Sequence, residues 1–297
     1  MRPRHAMFIT GVALAASAAP DPHVARAHPA AQCAFEPKAD ALLRKMSTDL
    51  AEMPAFRFNA DHVMEVVTRQ GQKIQSVAES TVWVQRPNKL RTDRMGPLGG
   101  ATVYYDGSKL TVYGKRDNLY ATAKAPDDLD GTIDFAREQL GLEAPGADLL
   151  YSNPYAVLME DAVSGKYLGI EPVGNRMCHH LAFRGHQTDW QLWVEDGQRA
   201  LPCRFVIVSK RATGQPEYTV ATSDWIAVPG FSPETFAFAP PPDAGKISFV
   251  ALRDTARSVQ QAPAPRANQE PGRETGQEPD QPPDQPPNQQ PDEVRRR

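Results

Sequence analysis

The chain is poor in the residues that most often carry chemistry. Its 297 residues include three cysteines and seven histidines. So few cysteines exclude a dense disulfide scaffold, and an odd number leaves one thiol free or intermolecular. Strong charge of either sign is also missing, since 33 Lys and Arg stand against 36 Asp and Glu for a net charge of −3. The basic residues are scattered among acids, so nothing here forms the patch that neutralises phosphates, and there is no case for a nucleic-acid partner. No G-x-S-x-G elbow, G-x-x-x-x-G-K loop, H-E-x-x-H or G-x-G-x-x-G occurs anywhere. The acid pairs Asp127-Asp128 and Glu160-Asp161 fall near predicted helix ends, where capping or solvation explains them. The reading is of a non-enzymatic protein with no cofactor and no metal.

Long apolar runs are absent too. The segment AMFITGVALAASAA (6–19) is shorter than the roughly 20 residues that span a bilayer. It follows the basic Met1-Arg2-Pro3-Arg4-His5 and precedes small-x-small sites at Ala18 and Ala27. That order reads as a secretory signal over 1–27, and hence as a periplasmic or secreted protein; an alanine-rich tail is the bland alternative. Cys33 follows Ala30-Ala31-Gln32, a poor lipoprotein-processing box because Gln precedes the cysteine. At the other end, 251–297 has few large apolar residues and near-repeats of DQPP. Such a segment cannot bury enough surface to offset ordering entropy, so a disordered Pro/Gln-rich tail is expected, whether a spacer, a tether or a solvated end. The folded unit is then about 35–250.

What is present is alternation. EPKADALLRKMSTDLAEM (36–53) spaces Leu42, Leu43, Met46, Leu50 and Met53 as one helical face, with Pro37 in the first turn. From Phe56 the period changes to two, with strands expected at 56–68, 74–87, 89–95, 101–105, 109–113 and 118–124. Helices are expected at 127–141, 147–152 and 154–161. Strands then resume at 166–173, 176–184, 189–195, 203–211 and 217–226, ending with FAFAP and KISFV. In 101–113, Asp106-Gly107 reads as a two-residue hairpin loop that sets Val103 opposite Leu110 and Ala101 opposite Val112. His62 falls in the apolar set of its strand, where a satisfied core histidine is expected, and its neighbour Asp61 faces the other way.

The stretch CHHLAFRGHQTDWQLWVEDG (178–197) first suggests a reactive cluster. A turn at 185–188 pairs Phe183 with Trp190 and Arg184 with Asp189, the latter as a cross-strand ion pair. His179 and His180 then point to opposite faces, so they cannot share one metal, and a Cys178–His180 zinc site would need two distant ligands. Continuing the register, Val194 faces Cys203, Leu192 faces Phe205 and Trp190 faces Ile207. Cys178 and Cys203 come out two strands apart on opposite faces, roughly 9–10 Å, too far for the disulfide limit of about 7 Å. Cys33 is left as a partner that could reach either. One apolar wall emerges, and its candidate cavity-lining residues are Phe56, Phe58, Met64, Val103, Leu110, Leu181, Phe183, Trp190, Leu192 and Phe205. For any one of these side chains a place in a filled core beneath the helices is a commoner outcome than ligand contact.

The fold class that follows is mainly β with a few helices, as a large curved antiparallel sheet with helices on its concave face. The runs LLRKM (42–46), RPNKLRTDR (86–94), YYDGSKLTVYGKRDNLYATAKAP (104–126), ADLLYSNPYAVLMEDAVSGKYLG (147–169) and 178–207 resemble bacterial domain-of-unknown-function family 2092, whose members are predicted to be periplasmic or secreted. More distantly, RP..LR followed by DG..L..Y is similar to the lipoprotein carriers LolA and LolB. That resemblance implies a half-barrel with an apolar cavity for lipid or lipoprotein acyl chains. The alternatives are a sensing module of the same fold, like the stress regulator RseB, with a membrane-associated protein partner, and, last, an unrecognised hydrolase.

Overall fold

The computed structural model describes residues 34–97 and 99–249, so the expected signal (1–27), Cys33 and the Pro/Gln-rich tail (251–297) lie outside the described residues. Helix α1 (Pro37–Ala51) comes first, then strands β1 (Ala55–Val67), β2 (Lys73–Gln85), β3 (Lys89–Gly96), β4 (Gly99–Tyr105), β5 (Lys109–Gly114) and β6 (Leu119–Lys124). Helix α2 (Leu129–Glu138), a single 3-10 turn (Ala147–Leu150) and helix α3 (Pro154–Met159) interrupt the strands. The chain then forms β7 (Ala162–Val173), β8 (Arg176–Gly185), β9 (Thr188–Glu195), β10 (Pro202–Ser209) and β11 (Glu217–Val228), ending in the short β12 (Gly245–Lys246).

All twelve strands form one open, curved sheet in the order β12-β6-β5-β4-β3-β2-β1-β11-β10-β9-β8-β7. Every pairing is antiparallel except β12 on β6. The two runs of strands on either side of the helices thus meet where β1 pairs with β11, and the helices fold back over the concave face. This is the mainly β, helix-covered curved sheet expected from the sequence.

Each helix has a local cause. Pro37 starts α1, whose buried stripe of Leu43, Met46 and Leu50 repeats at helical spacing. Asp128 accepts a hydrogen bond from the Gly131 amide (2.7 Å) at the start of α2, and Asn153 does the same for Ala156 (3.2 Å) at α3. The cover is tied down by polar groups. Tyr105 donates to the Pro126 carbonyl (2.8 Å), and the Arg86 guanidinium donates to the carbonyls of Leu150 and Tyr151 (both 3.1 Å).

Four expectations are corrected. The 101–113 hairpin closes between Tyr105 and Leu110, so Val103 faces Val112 and Ala101 faces Gly114. Asp106 Oδ1 accepts from the amides of Ser108 and Lys109 (both 2.9 Å), which builds a four-residue loop. Because the shift is two residues, every side chain keeps its face. Asp189 meets Lys210 (3.1 Å) instead of Arg184, although the Arg184–Asp189 pairing itself is present. The FAFAP segment is not a strand. It runs over the convex face, where Phe231 N donates to Gln85 Oε1 (2.8 Å) and Phe238 packs among Tyr104, Tyr113 and Tyr120.

The fourth correction concerns the cysteines: Cys178 and Cys203 form a disulfide, with Cα atoms 6.8 Å apart. The pairing of β9 with β10 slips between Pro202 and Arg204, so Val194 faces Pro202 while Leu192 still faces Phe205. Cys203 is the extra residue of this bulge, and the bulge turns it to the convex face that Cys178 already occupies. There both cysteines are fully buried with Trp193 and Val206 in a second, smaller core.

Candidate ligand-binding face

Alternation from the buried Phe56 and Phe58 assigns the concave face. On β1 it carries residues 56, 58, 60, 62, 64 and 66, and their partners on β2 are 84, 82, 80, 78, 76 and 74. On β3 the same face carries Leu90, Thr92 and Arg94, opposite Val84, Val82 and Ser80. On β11 it carries Tyr218 and Val220, opposite Met64 and His62.

This face has two unlike halves. Over one half the helices seal it. Of the ten side chains expected to line a cavity, Phe56, Phe58, Leu110, Leu181, Phe183, Trp190, Leu192 and Phe205 are buried in the main core, and Val103 and Met64 pack against it part-buried. Phe183 stacks on Trp190 at 4.1 Å between ring centroids, and Phe58 stacks on Trp225 at 4.2 Å. Trp225 reaches this face because β11 slips opposite Arg57 and Asn59, at Asp224 in the left-handed region (φ 52°).

The other half lies at the far ends of β1, β2 and β3, and there the described residues leave the cover incomplete. Val66 and Ile74, cross-strand partners on the concave face, are 53% and 49% exposed. Beside them a cleft of about 530 Å³ opens against Met64 and Tyr218, with Ala144, Pro145 and Pro216 on its other walls. Met64 is the one residue of the expected ten that lines it. The signal available in sequence was Val66 opposite Ile74 continuing the apolar face beyond the reach of any predicted helix.

Polar groups sit at the inner end of this region. His62 Nδ1 is 2.6 Å from the Tyr218 hydroxyl and its Nε2 is 2.7 Å from Ser80 Oγ. Burial, and then the nearby positive charge of Arg94, push the imidazole pKa down to about 4, so the ring is neutral at ordinary pH. Burial likewise raises Tyr218, keeping it a neutral hydroxyl. His62 is thus a hydrogen-bonded, satisfied histidine of the inner face. Arg94 itself is exposed and forms no ion pair among the described residues. The rim is acidic, with Glu65, Glu143, Asp148 and Glu217 in the lining; Asp148 pairs with Arg137 (2.9 Å) and Glu65 with Lys73 (2.9 Å), which holds the Glu65 carboxyl below its usual range. Glu65 and Glu217 alternate with Met64 and Tyr218, and so lean toward the convex side.

The convex-face residues of the conspicuous 178–197 stretch are occupied structurally. His180 stacks on Trp193 (3.9 Å), and its nitrogens meet Glu171 (3.0 Å) and Gln191 (2.9 Å). His179 lies on the concave face, against the Tyr167 hydroxyl (3.1 Å) and Asp196 (3.3 Å). No helix of the described residues is long and apolar enough to cross a membrane.

A curved open sheet with a helical cover and a partly uncovered apolar end defines a class of folds that enclose space between sheet and helices. The chain belongs to the family described as predicted periplasmic protein, DUF2092, whose profile matches residues 39–250. No curated protein matches it. Among solved structures, it is similar to an uncharacterized conserved protein from Thermus thermophilus (11% identity, TM-score 0.43, covering 71% of this chain and 99% of that one). It is also similar to the Mycobacterium tuberculosis lipoprotein LppX (11% identity, TM-score 0.42, covering 64% and 96%). A LolA superfamily protein from Nitrosomonas europaea shows 11% identity and a TM-score of 0.37, covering 67% and 97%. At these values the likenesses bear on neither ligand nor partner.

Proposed function

We propose that this chain is a periplasmic, non-enzymatic binding protein or carrier for the acyl chains of a lipid or lipoprotein. The observation that carries the reading is the exposed Val66–Ile74 pair beside the Met64–Tyr218 cleft. Large apolar side chains left side by side in a concavity are favourable only if something apolar covers them. The binding place is therefore the uncovered end, while the eight buried wall residues hold the sheet to its helices. The expected signal over 1–27 supports a periplasmic location, and the family's description agrees with it. The test is native mass spectrometry of protein purified without detergent. Co-purified acyl-bearing molecules, lost in an Ile74→Asp variant, would support the reading. A protein that arrives empty and takes up no added lipid would end it.

A second reading, a sensing module that binds a protein partner, is favoured by the edge of β7, which among the described residues carries no further strand. Residues 34–36 add to this edge around Gly165, where Glu36 N donates to the Gly165 carbonyl (2.9 Å), and Glu36 Oε2 accepts from the Tyr167 amide (3.0 Å). Beyond it Leu168 and Ile170 are about half exposed, on an edge that could accept a strand. An inner-membrane protein retained by the wild type and lost on Ile170→Lys, with no lipid bound, would favour this reading over the carrier.

A further inference from the structure

We infer that the Tyr218 ring is the stop that limits how long an acyl chain the cleft accepts, so that this face selects chains by length. The inference rests on the acyl-binding reading and adds a specificity-determining residue to it. Tyr218 on β11, His62 on β1 and Ser80 on β2 stand on three adjacent strands. Their side chains form one hydrogen-bonded row across the concave face, with His62 Nδ1 2.6 Å from the Tyr218 hydroxyl and His62 Nε2 2.7 Å from Ser80 Oγ. On the outer side of the row lie Met64, Val66 and Ile74, the last two about half exposed. On its inner side Phe58, Val82 and Val220 are all buried in the main core. The change from open to sealed face falls on this row.

The cover meets the sheet at the same place. Tyr218 is a wall of the cleft and is itself buried. Gly146, at the start of the 3-10 turn, lies so close to it that an added Cβ would stand 3.5 Å from the Tyr218 ring and 3.5 Å from the Val220 side chain. An acyl chain entering past Val66 and Ile74 therefore runs along the sheet into a ring held between the sheet and Gly146. To pass, it would have to break the hydrogen bond to His62 in a buried place and displace packed core side chains, and both are costly. At about 3.3 Å per residue the four residues from Val66 to His62 span roughly 13 Å, the length of about ten methylene groups. Chains up to that length gain contact with each carbon, and longer ones leave the excess in water. The acidic lining from Glu143 and Glu217 opposes an anionic head, so neutral amphiphiles separate the effect of chain length from that of charge.

The experiment uses the full chain and the neutral dye Nile red, displaced by 1-monoacylglycerols of increasing chain length. For the wild type, affinity should rise roughly 3- to 10-fold for every two carbons and level off near about ten. Tyr218→Ala should move that limit to longer chains. Tyr218→Leu should move it by less, and serves if the alanine variant does not fold. Tyr218→Phe keeps the ring and should keep the wild-type limit. Val220→Ala cuts a buried side chain behind the row and should lower stability without moving the limit, so a loss of packing alone does not imitate the effect. The inference is overturned if wild-type affinity climbs without a break, if the limit stays in place in the alanine and leucine variants, or if Tyr218→Phe or Val220→Ala moves it as far as Tyr218→Ala; in each case acyl binding stands. If no monoacylglycerol displaces the dye and native mass spectrometry finds none bound, the reading beneath the inference fails with it.

Discussion

The two halves of the concave face are made of the same kinds of residue and behave differently. Phe183, Leu192 and Phe205 lie under α1 and its neighbours and are buried to within 2% exposure. Val66 and Ile74 continue the same alternation on the same sheet and are half exposed. Residue type therefore does not separate core from candidate site. The position of the helical cover does, because an apolar side chain stabilises the fold only when something removes it from water. Losses in the covered half should be read in stability, and losses in the open half in binding.

The largest expected effect is in the covered half. Phe183→Ala removes a fully packed ring from its stack on Trp190, and should cost about 3–5 kcal/mol in urea unfolding. A cost near zero would mean that this half is loosely packed and that the contrast is false. Next comes the convex face. Replacing both Cys178 and Cys203 by alanine opens a crosslink with a sequence separation of 25 residues and should cost about 2–4 kcal/mol, with little change in ligand binding. If binding fell as much as stability, the two faces would not be independent.

The boundary between the halves can be probed with pH. The His62 pKa lies at about 4 in the fold, below the ordinary histidine value of 6.5. The unfolded chain takes up the proton first as pH falls, so the contribution of neutral His62 is complete above about 6.5 and is lost progressively toward 4. After allowance for the partly exposed ring, the loss attributable to this residue should be about 1–2 kcal/mol. It is read as the difference in pH-dependent stability between wild type and His62→Gln. Matching curves would show that the ring titrates normally. The smallest effect is in the open half: Val66→Ala and Ile74→Ala should each change stability by no more than about 0.5 kcal/mol. If either cost as much as a core residue, that end would be covered.

Much of the fold was legible in the sequence. The change from helical to period-two spacing near Phe56 marked α1 and β1, and the register of Phe183 with Trp190 and Leu181 with Leu192 followed from the turn at 185–188 together with alternation. The Asp106 loop came out two residues too short because side-chain acceptance by an Asx residue competes with the tighter turn. The disulfide was missed for a related reason: one extra residue at Cys203 reverses a face, and bulges leave no mark in hydrophobic alternation. The candidate site was legible only in part. Met64 carried over to the cleft, whereas Tyr218 in the cleft and Val66 and Ile74 beside it were not singled out, since nothing local distinguishes them from ordinary strand residues.

By itself, then, the sequence determined the order of helices and strands, the two faces of each strand and the membership of the apolar wall, because these depend on spacing between near neighbours. Only the tertiary structure decided which part of that wall is sealed and which cysteines meet. Those outcomes depend on where α1, α2 and the 143–148 segment come to rest over a sheet whose strands are joined from both ends of the chain, and no local pattern encodes that placement.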